Sequence, residues 1–282
     1  MQADRKSFFS SELPERFFRR AALMLHSYST GLVKITFREG EGEHGHLIGS
    51  GTFVSVGNCS GILTVQHVVE LIDEPCEIGL VLIEGAHRPT IDRQHLEILE
   101  IAKPPVKGEG PDLAFIRLPD QKAREVAHYK HFYNLDFDRD EMLRDPPERH
   151  AAVWFVCGIP DEWTSDLEPE AGFLQVQSFY GVCGAGGANK IYTKDEYDYV
   201  DTWVEYKDDV HLPSTFGGIS GGGLWQVPYS GGPPDEVEPV RYLLAGVPFA
   251  QSPIENGLRS IICHGWRSVY SQAYSAIEEM CS

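Results

Sequence analysis

The sequence has little that would carry it across or into a membrane. No run approaches the roughly 18 apolar residues of a spanning helix. The opening, Met1-Gln-Ala-Asp-Arg-Lys-Ser-Phe-Phe9, lacks both an apolar h-region and a small-residue cleavage site. Basic charge is scarce: 24 Lys and Arg stand against 42 Asp and Glu, for a net charge of -18. That balance argues against nucleic acid and anionic membrane as partners, because neutralising phosphates takes clustered cations. The six cysteines, at 59, 76, 157, 183, 263 and 281, show neither close pairing nor metal-ligand spacing. Without an export signal, the expectation is a cytoplasmic protein with reduced cysteines. Cys157 and Cys263 fall in apolar runs and read as buried thiols. His44-Gly-His46 offers half a metal site with no third ligand, so no metal or cofactor is expected. There is no internal repeat and no second recognisable domain.

What is present is ordinary for a globular chain: 282 residues, 42% hydrophobic and 23% charged, with enough length to bury a core. Residues 14 to 25 read as a short helix with proline in its first turn. Short strand patterns bounded by Gly, Pro, Asn or Asp then follow at 32–37, 46–56, 61–65, 77–83, 95–101 and 113–118. Residues 119 to 150 are charged and read as helix or coil. Strand patterns resume at 152–157, 173–180, 202–205, 223–227, 240–247 and 260–263. Between them, 181–200 reads as a long surface loop ending in a solvated acidic run, and 228–239 as a Pro/Gly/acid insertion. Trp266, Val269, Tyr270, Ala273 and Ile277 recur at helical spacing and predict a terminal helix with one apolar face.

Three stretches carry chemistry. Ser214-Thr-Phe-Gly-Gly-Ile-Ser220-Gly-Gly-Gly-Leu-Trp225 embeds a serine between glycines, ahead of an apolar strand. Glycines let a backbone turn sharply and bring its amides close to a ligand. An acyl-transfer site needs such an exposed hydroxyl, with amides aimed at a developing oxyanion. A tight glycine-rich hairpin would use the same serine as a turn residue only. Upstream, Gly61-Ile-Leu-Thr-Val-Gln-His67 ends an apolar strand in a histidine, and Gly110-Pro-Asp112-Leu-Ala-Phe-Ile-Arg-Leu118 sets an aspartate at the mouth of another. Histidine, aspartate and glycine-embedded serine are the parts of a nucleophile–base–orienter relay.

In these residues the chain resembles the trypsin-like (chymotrypsin-fold) serine peptidases, of the bacterial, non-zymogen type. Leu63-Thr-Val-Gln-His67, Asp112-Leu-Ala-Phe-Ile-Arg-Leu118 and Gly218-Ile-Ser220-Gly-Gly222 stand for the family's three catalytic motifs. Gly49-Ser-Gly-Thr-Phe-Val54, Trp154-Phe-Val-Cys-Gly-Ile-Pro160 and Leu244-Ala-Gly-Val-Pro-Phe249 keep the family's order around them. The resemblance implies an all-β fold of two packed antiparallel six-stranded β-barrels with short N- and C-terminal helices. It divides the chain into an N-terminal extension (1–28), a first barrel with His67 and Asp112 (29–120), a linker (121–150) and a second barrel with Ser220 (151–282). It implies a serine endopeptidase with a polypeptide substrate: Ser220 attacks, His67 takes the proton, and Asp112 holds the imidazole tautomer. The amides of Gly218 and Ser220 would form the oxyanion hole. Ser214, Thr215, Gly217, Phe249 and Gln251 fall where substrate-binding residues stand. An uncharged Ser214 at the pocket floor argues against an Arg/Lys preference through a floor carboxylate, and Gln251 suggests a shallow pocket.

Two departures matter. Ile219 replaces the aspartate that pairs with a new N-terminal amine in zymogen-type members, and no Ile-Val-Gly-Gly terminus precedes the first strand. The expected site is therefore not activated by N-terminal clipping. It is constitutive, or its loop is ordered by a regulatory protein partner or a ligand. The rival reading is a catalytically silent pseudo-peptidase that binds peptides or proteins in the same groove. An α/β-hydrolase esterase would need the order Ser, Asp, His and repeated βα units, and the chain has neither.

Overall fold

Pro14 leads into helix α1 (Glu15–Tyr28), which buries Phe17, Ala21 and Leu25 on one face at a spacing of four. In this computed structural model the chain is described at 13–38, 42–72, 76–82, 89–106, 109–144, 152–166, 174–176, 179–185, 188–206, 212–230, 233 and 236–282. Residues 1–12 of the expected N-terminal extension, 83 of the expected 77–83 strand, 145–150 of the linker and 173, 177 and 178 of the expected 173–180 strand lie outside the described residues.

From α1 the chain enters β1 (Ser29–Arg38), β2 (Gly42–Val56) and β3 (Cys59–Thr64), a meander whose pairing is antiparallel throughout. The one-turn helix α2 (Gln66–Val69) leads on to β4 (Glu77–Leu80), β5 (Thr90–Asp92), β6 (Glu97–Ala102) and β7 (Leu113–Arg117). Helix α3 (Asp120–Val126), the short β8 (Tyr133–Asn134) and helix α4 (Leu135–Arg144) then cross to the second half. There the strands are β9 (Ala152–Gly158), β10 (Thr164–Asp166), β11 (Leu174–Val176), β12 (Phe179–Ala185), β13 (Lys190–Lys194), β14 (Tyr197–Glu205), β15 (Gly223–Pro228), β16 (Leu243–Gln251) and β17 (Leu258–His264). A π-helical turn, Ser268–Ala273, runs into the terminal helix α5 (Tyr274–Cys281).

The strands form two principal antiparallel sheets, one of them curled into a half-barrel. The first has eight strands in the order β5-β4-β1-β2-β3-β7-β6, with β8 beside β2, and the second has seven in the order β12-β9-β15-β16-β17-β14-β13. This is the expected antiparallel, strand-dominated class with terminal helices. The described residues do not show two closed six-stranded barrels. The three-residue β5, followed by the 3-10 turn Arg93–His95, and β6 stand at the two ends of the first sheet's strand order. No helix among the described residues is long and apolar enough to cross a membrane.

Trp225, fully buried on β15, stacks on Tyr28 of α1 with Tyr133 edge-on, so the N-terminal helix seals the second sheet against the first. A separate cluster inside the second sheet gathers Trp154, Val156, Phe216, Leu224, Ala245 and Ile261. At the C-terminus, Val269, Tyr270, Ala273 and Ile277 are buried as their spacing predicts.

Two expectations are corrected. The run 195–201 is a solvated turn only at Asp195 and Glu196: β14 takes up the rest, and Asp198 is buried, accepting the amides of Arg267 (3.1 Å) and Ser268 (2.7 Å). Those amides open the terminal helical segment, and a carboxylate answers their unmet donors. Nor are all the cysteines reduced: Cys59 is bonded to Cys281, with Cα atoms 6.0 Å apart. Helix α5 packs on the first sheet and brings its last residue to the first residue of β3, a match that a separation of 222 residues hides in the sequence. Cys157 and Cys263 are buried thiols, as expected. In the chain-entropy account a crosslink over such a loop is worth at most roughly 5 kcal/mol. Cys281→Ser is therefore expected to lower unfolding stability by several kcal/mol, read by urea denaturation, and a reductant should do the same to the wild type but nothing to the variant.

Candidate active site

Strand β3 ends at Thr64, and α2 turns the chain so that Gln66, Val68 and Val69 face inward. His67 is the residue of that turn left partly open, with its side chain 25% exposed. Strands β3 and β7 pair with Thr64 opposite Ala114, so continuing the register puts Asp112 beside the turn that carries His67. The carboxylate completes the approach from both sides of the histidine. Asp112 Oδ1 accepts the His67 backbone N–H at 3.1 Å, and Oδ2 lies 2.6 Å from Nδ1. A carboxylate only accepts, so Nδ1 donates and Nε2 keeps its lone pair facing outward. The Asp112 side chain is 1% exposed, which keeps water from competing for it.

Behind Asp112 stands a residue that the sequence reading passed over. His264, the last residue of β17, places Nε2 3.0 Å from the Asp112 amide nitrogen and 2.9 Å from its carbonyl oxygen. Whichever tautomer is present, the ring fixes the backbone that aims the carboxylate. Phe249, Tyr197 and Tyr199 surround the imidazole, with ring centroids 4.8, 6.0 and 5.4 Å away. Burial pushes His264 down to about 4, against the opposing pull of Asp112. The sign follows directly: the unfolded chain takes a proton near pH 6.5 that the folded chain refuses until about pH 4. Stability from this group is complete above pH 6.5 and falls as pH drops through that window, by roughly 3 kcal/mol in all. Urea unfolding at pH 7.5 and 4.5 is expected to show a larger acid loss for the wild type than for His264→Gln, by about 2–3 kcal/mol. Equal losses would mean the imidazole is not held neutral.

Ser220 sits on a turn built by glycines and clamped by the first sheet. Gly218 and Gly221 have φ of 85° and 86°, in the left-handed region. A Cβ at Gly221 would lie 2.1 Å from Thr64 Oγ1, and one at Gly218 would lie 2.3 Å from Asp161 Oδ1. Neither position has room for a side chain. Between them Ile219 points inward, 2% exposed, within the second-sheet cluster. Ser50 of β2 is the clamp. Its amide donates to the Ser220 carbonyl at 2.9 Å, its hydroxyl donates to the Gly218 carbonyl at 2.8 Å, and that hydroxyl accepts the Ile159 amide at 2.9 Å. The Ser50 carbonyl in turn accepts the Thr64 hydroxyl at 2.8 Å, which ties the serine turn to the strand leading into His67. A Cβ on Gly49 would lie 2.5 Å from Val68 and 3.2 Å from the Ser220 carbonyl, which shows how closely α2 and the turn approach.

Of the three expected catalytic residues, then, His67 and Asp112 are joined directly. Ser220 is anchored through its backbone on Ser50, on a turn that lies against Thr64; among the described residues its hydroxyl makes no hydrogen bond to the imidazole. The amides of Gly218 and Ser220, expected to face an oxyanion, meet no backbone acceptor among the described residues, whereas their neighbours Ile219 and Gly221 donate to Phe216 and Pro248. Asp161 stands against Gly217 and Gly218; burial raises its pKa, with His46 opposing.

The expected substrate-binding residues form one hydrogen-bonded segment, with Phe249 apart. Glu162, another residue the sequence reading missed, accepts the amides of Ser214 (2.6 Å) and Thr215 (3.3 Å) and the Ser214 hydroxyl. Gln251 crosses to the same segment: its Oε1 accepts the Phe216 amide at 2.9 Å and its Nε2 donates to Thr215 Oγ1 at 3.0 Å. The Gly217 amide donates to the same hydroxyl at 3.2 Å. Phe249 is 5% exposed, part of the aromatic group around His264. Glu162 lies only 52 residues before Ser214, but nothing in its local pattern distinguishes it from other surface acids. Set against known proteins, the sequence matches no family model and no curated protein.

Proposed function

We propose that the chain is a serine endopeptidase resembling the trypsin-like family, with Ser220 as nucleophile, His67 as general base and Asp112 as the group that orients it. The observation that carries this reading is the buried Asp112 carboxylate 2.6 Å from His67 Nδ1, on the ring edge opposite the nitrogen a nucleophile would use. In the proposed reaction Ser220 Oγ attacks the peptide carbonyl as its proton passes to His67 Nε2. The amides of Gly218 and Ser220 receive the oxyanion. His67 then returns the proton to the leaving amine, and water repeats the sequence on the acyl-enzyme.

Activation by N-terminal clipping is not part of the proposal. The position where an ammonium would need a carboxylate is the buried Ile219, and an unpaired buried ammonium costs several kcal/mol. A second reading, a silent peptide-binding relative, draws on the missing Ser220–His67 hydrogen bond. Labelling of the full chain by a fluorophosphonate probe, with the adduct located by peptide mass, separates the two. Modification at Ser220 supports the peptidase, and a folded chain left unmodified supports the silent relative.

A further inference from the structure

Arg259 is the second residue of β17, and its side chain points into the second sheet beside Ser214. It is 9% exposed, on the same side of the strand as the buried Ile261 and Cys263. Its Nη1 donates to the Ser214 carbonyl at 2.6 Å and to the Tyr206 hydroxyl at 3.2 Å, and the guanidinium lies 5.7 Å from the Tyr206 ring centroid. Among the described residues Nε has no hydrogen-bond partner and Arg259 forms no ion pair. Arg16, Arg19, Arg20, Arg117, Arg144 and Arg241 reach carboxylates, whereas Arg93 and Arg139, like Arg259, donate to backbone carbonyls; of these three only Arg259 is buried. A guanidinium is always charged and carries five donors in a planar fork suited to a carboxylate. Burying one without a counter-charge is unfavourable unless something supplies that charge. The neighbouring Glu162 turns its oxygens to the amides of Ser214 and Thr215 and to the Ser214 hydroxyl, and among the described residues it forms no ion pair with Arg259.

We infer that Arg259 is a specificity residue which receives the carboxylate of an acidic substrate side chain, aspartate or glutamate, entering beside Ser214. This rests on the proposed function for what happens next, since the acidic residue would then precede the bond attacked by Ser220. It also gives the uncharged Ser214 a role: the charge that selects substrate comes from behind the floor, and it is positive.

The test uses two measurements on the full chain. Ser220→Ala is titrated calorimetrically with two otherwise identical peptides ending in Glu or Gln at the carboxyl side of the expected cut. The wild type is assayed on longer peptides with Glu, Gln, Leu or Lys at that position. A charge-assisted pair should favour Glu over Gln by about tenfold to hundredfold in both. Arg259→Gln should bring the ratio near one. Equal binding of the Glu and Gln peptides, binding of neither, or a Glu preference that survives in a folded Arg259→Gln would overturn the inference. If that variant does not fold, the wild-type comparison decides alone. A chain that prefers the Glu peptide yet leaves it uncut would keep this inference and sink the peptidase.

Discussion

Ser220→Ala is expected to reduce peptide hydrolysis by about 10⁶-fold while leaving the urea midpoint almost unchanged. The size follows from what is removed. Without the hydroxyl there is no acyl-enzyme, and the rest of the site can offer a water only positioning and the two amides of the turn. The unchanged stability follows from the geometry. Ser220 is anchored by its carbonyl on the Ser50 amide and by the neighbouring Gly221 amide on the Pro248 carbonyl, neither of which involves the side chain. Turnover within about tenfold of the wild type in the folded variant would show that another group is the nucleophile.

Asp112→Asn is expected to lower turnover by about 10⁴-fold, the loss found when a triad aspartate becomes an amide. The amide nitrogen would face Nδ1 at the present 2.6 Å and force the ring to accept there. Nε2 would then carry the proton and could not take one from Ser220. The substitution should also cost stability, because the carboxylate accepts the His67 backbone amide at 3.1 Å and is almost wholly removed from water. Activity of the variant should recover partly as pH rises, since hydroxide can substitute for the missing base. A loss under about tenfold would mean that a different carboxylate orients His67.

The parts of the site that could be read in the sequence are those that local pattern controls. His67 and Asp112 stand at the ends of apolar strands, and the pairing of those strands brings the two together. The glycines around Ser220 announce a turn, and two of them adopt the left-handed backbone that only such residues take easily. The apolar spacing of α1 and of the terminal segment gave both helices. What stayed hidden joins residues far apart through single polar contacts. His264 braces Asp112 across 152 residues, Ser50 holds the Gly218 carbonyl across 168, and Cys59 meets Cys281 across 222. A lone serine or histidine in an apolar run has no periodicity to reveal its partner. Asp198 shows the opposite error: an acid amid tyrosines suggested solvent, but its strand turns it inward onto the amides of Arg267 and Ser268. Strand number and edge pairing were harder to read, because they depend on short edge strands such as the three-residue β5.

The proposed function requires that Ser220 become covalently acylated with His67 as its base, in a chain that has not been cut. Its most direct test is rapid mixing of the intact 282-residue chain with an activated ester, followed by acid quench and intact mass. A burst of one acyl group per chain is expected, located on Ser220 and absent from both Ser220→Ala and His67→Ala. A folded, uncut wild type that shows no burst, or whose adduct forms only after cleavage between about residues 25 and 35, would contradict it.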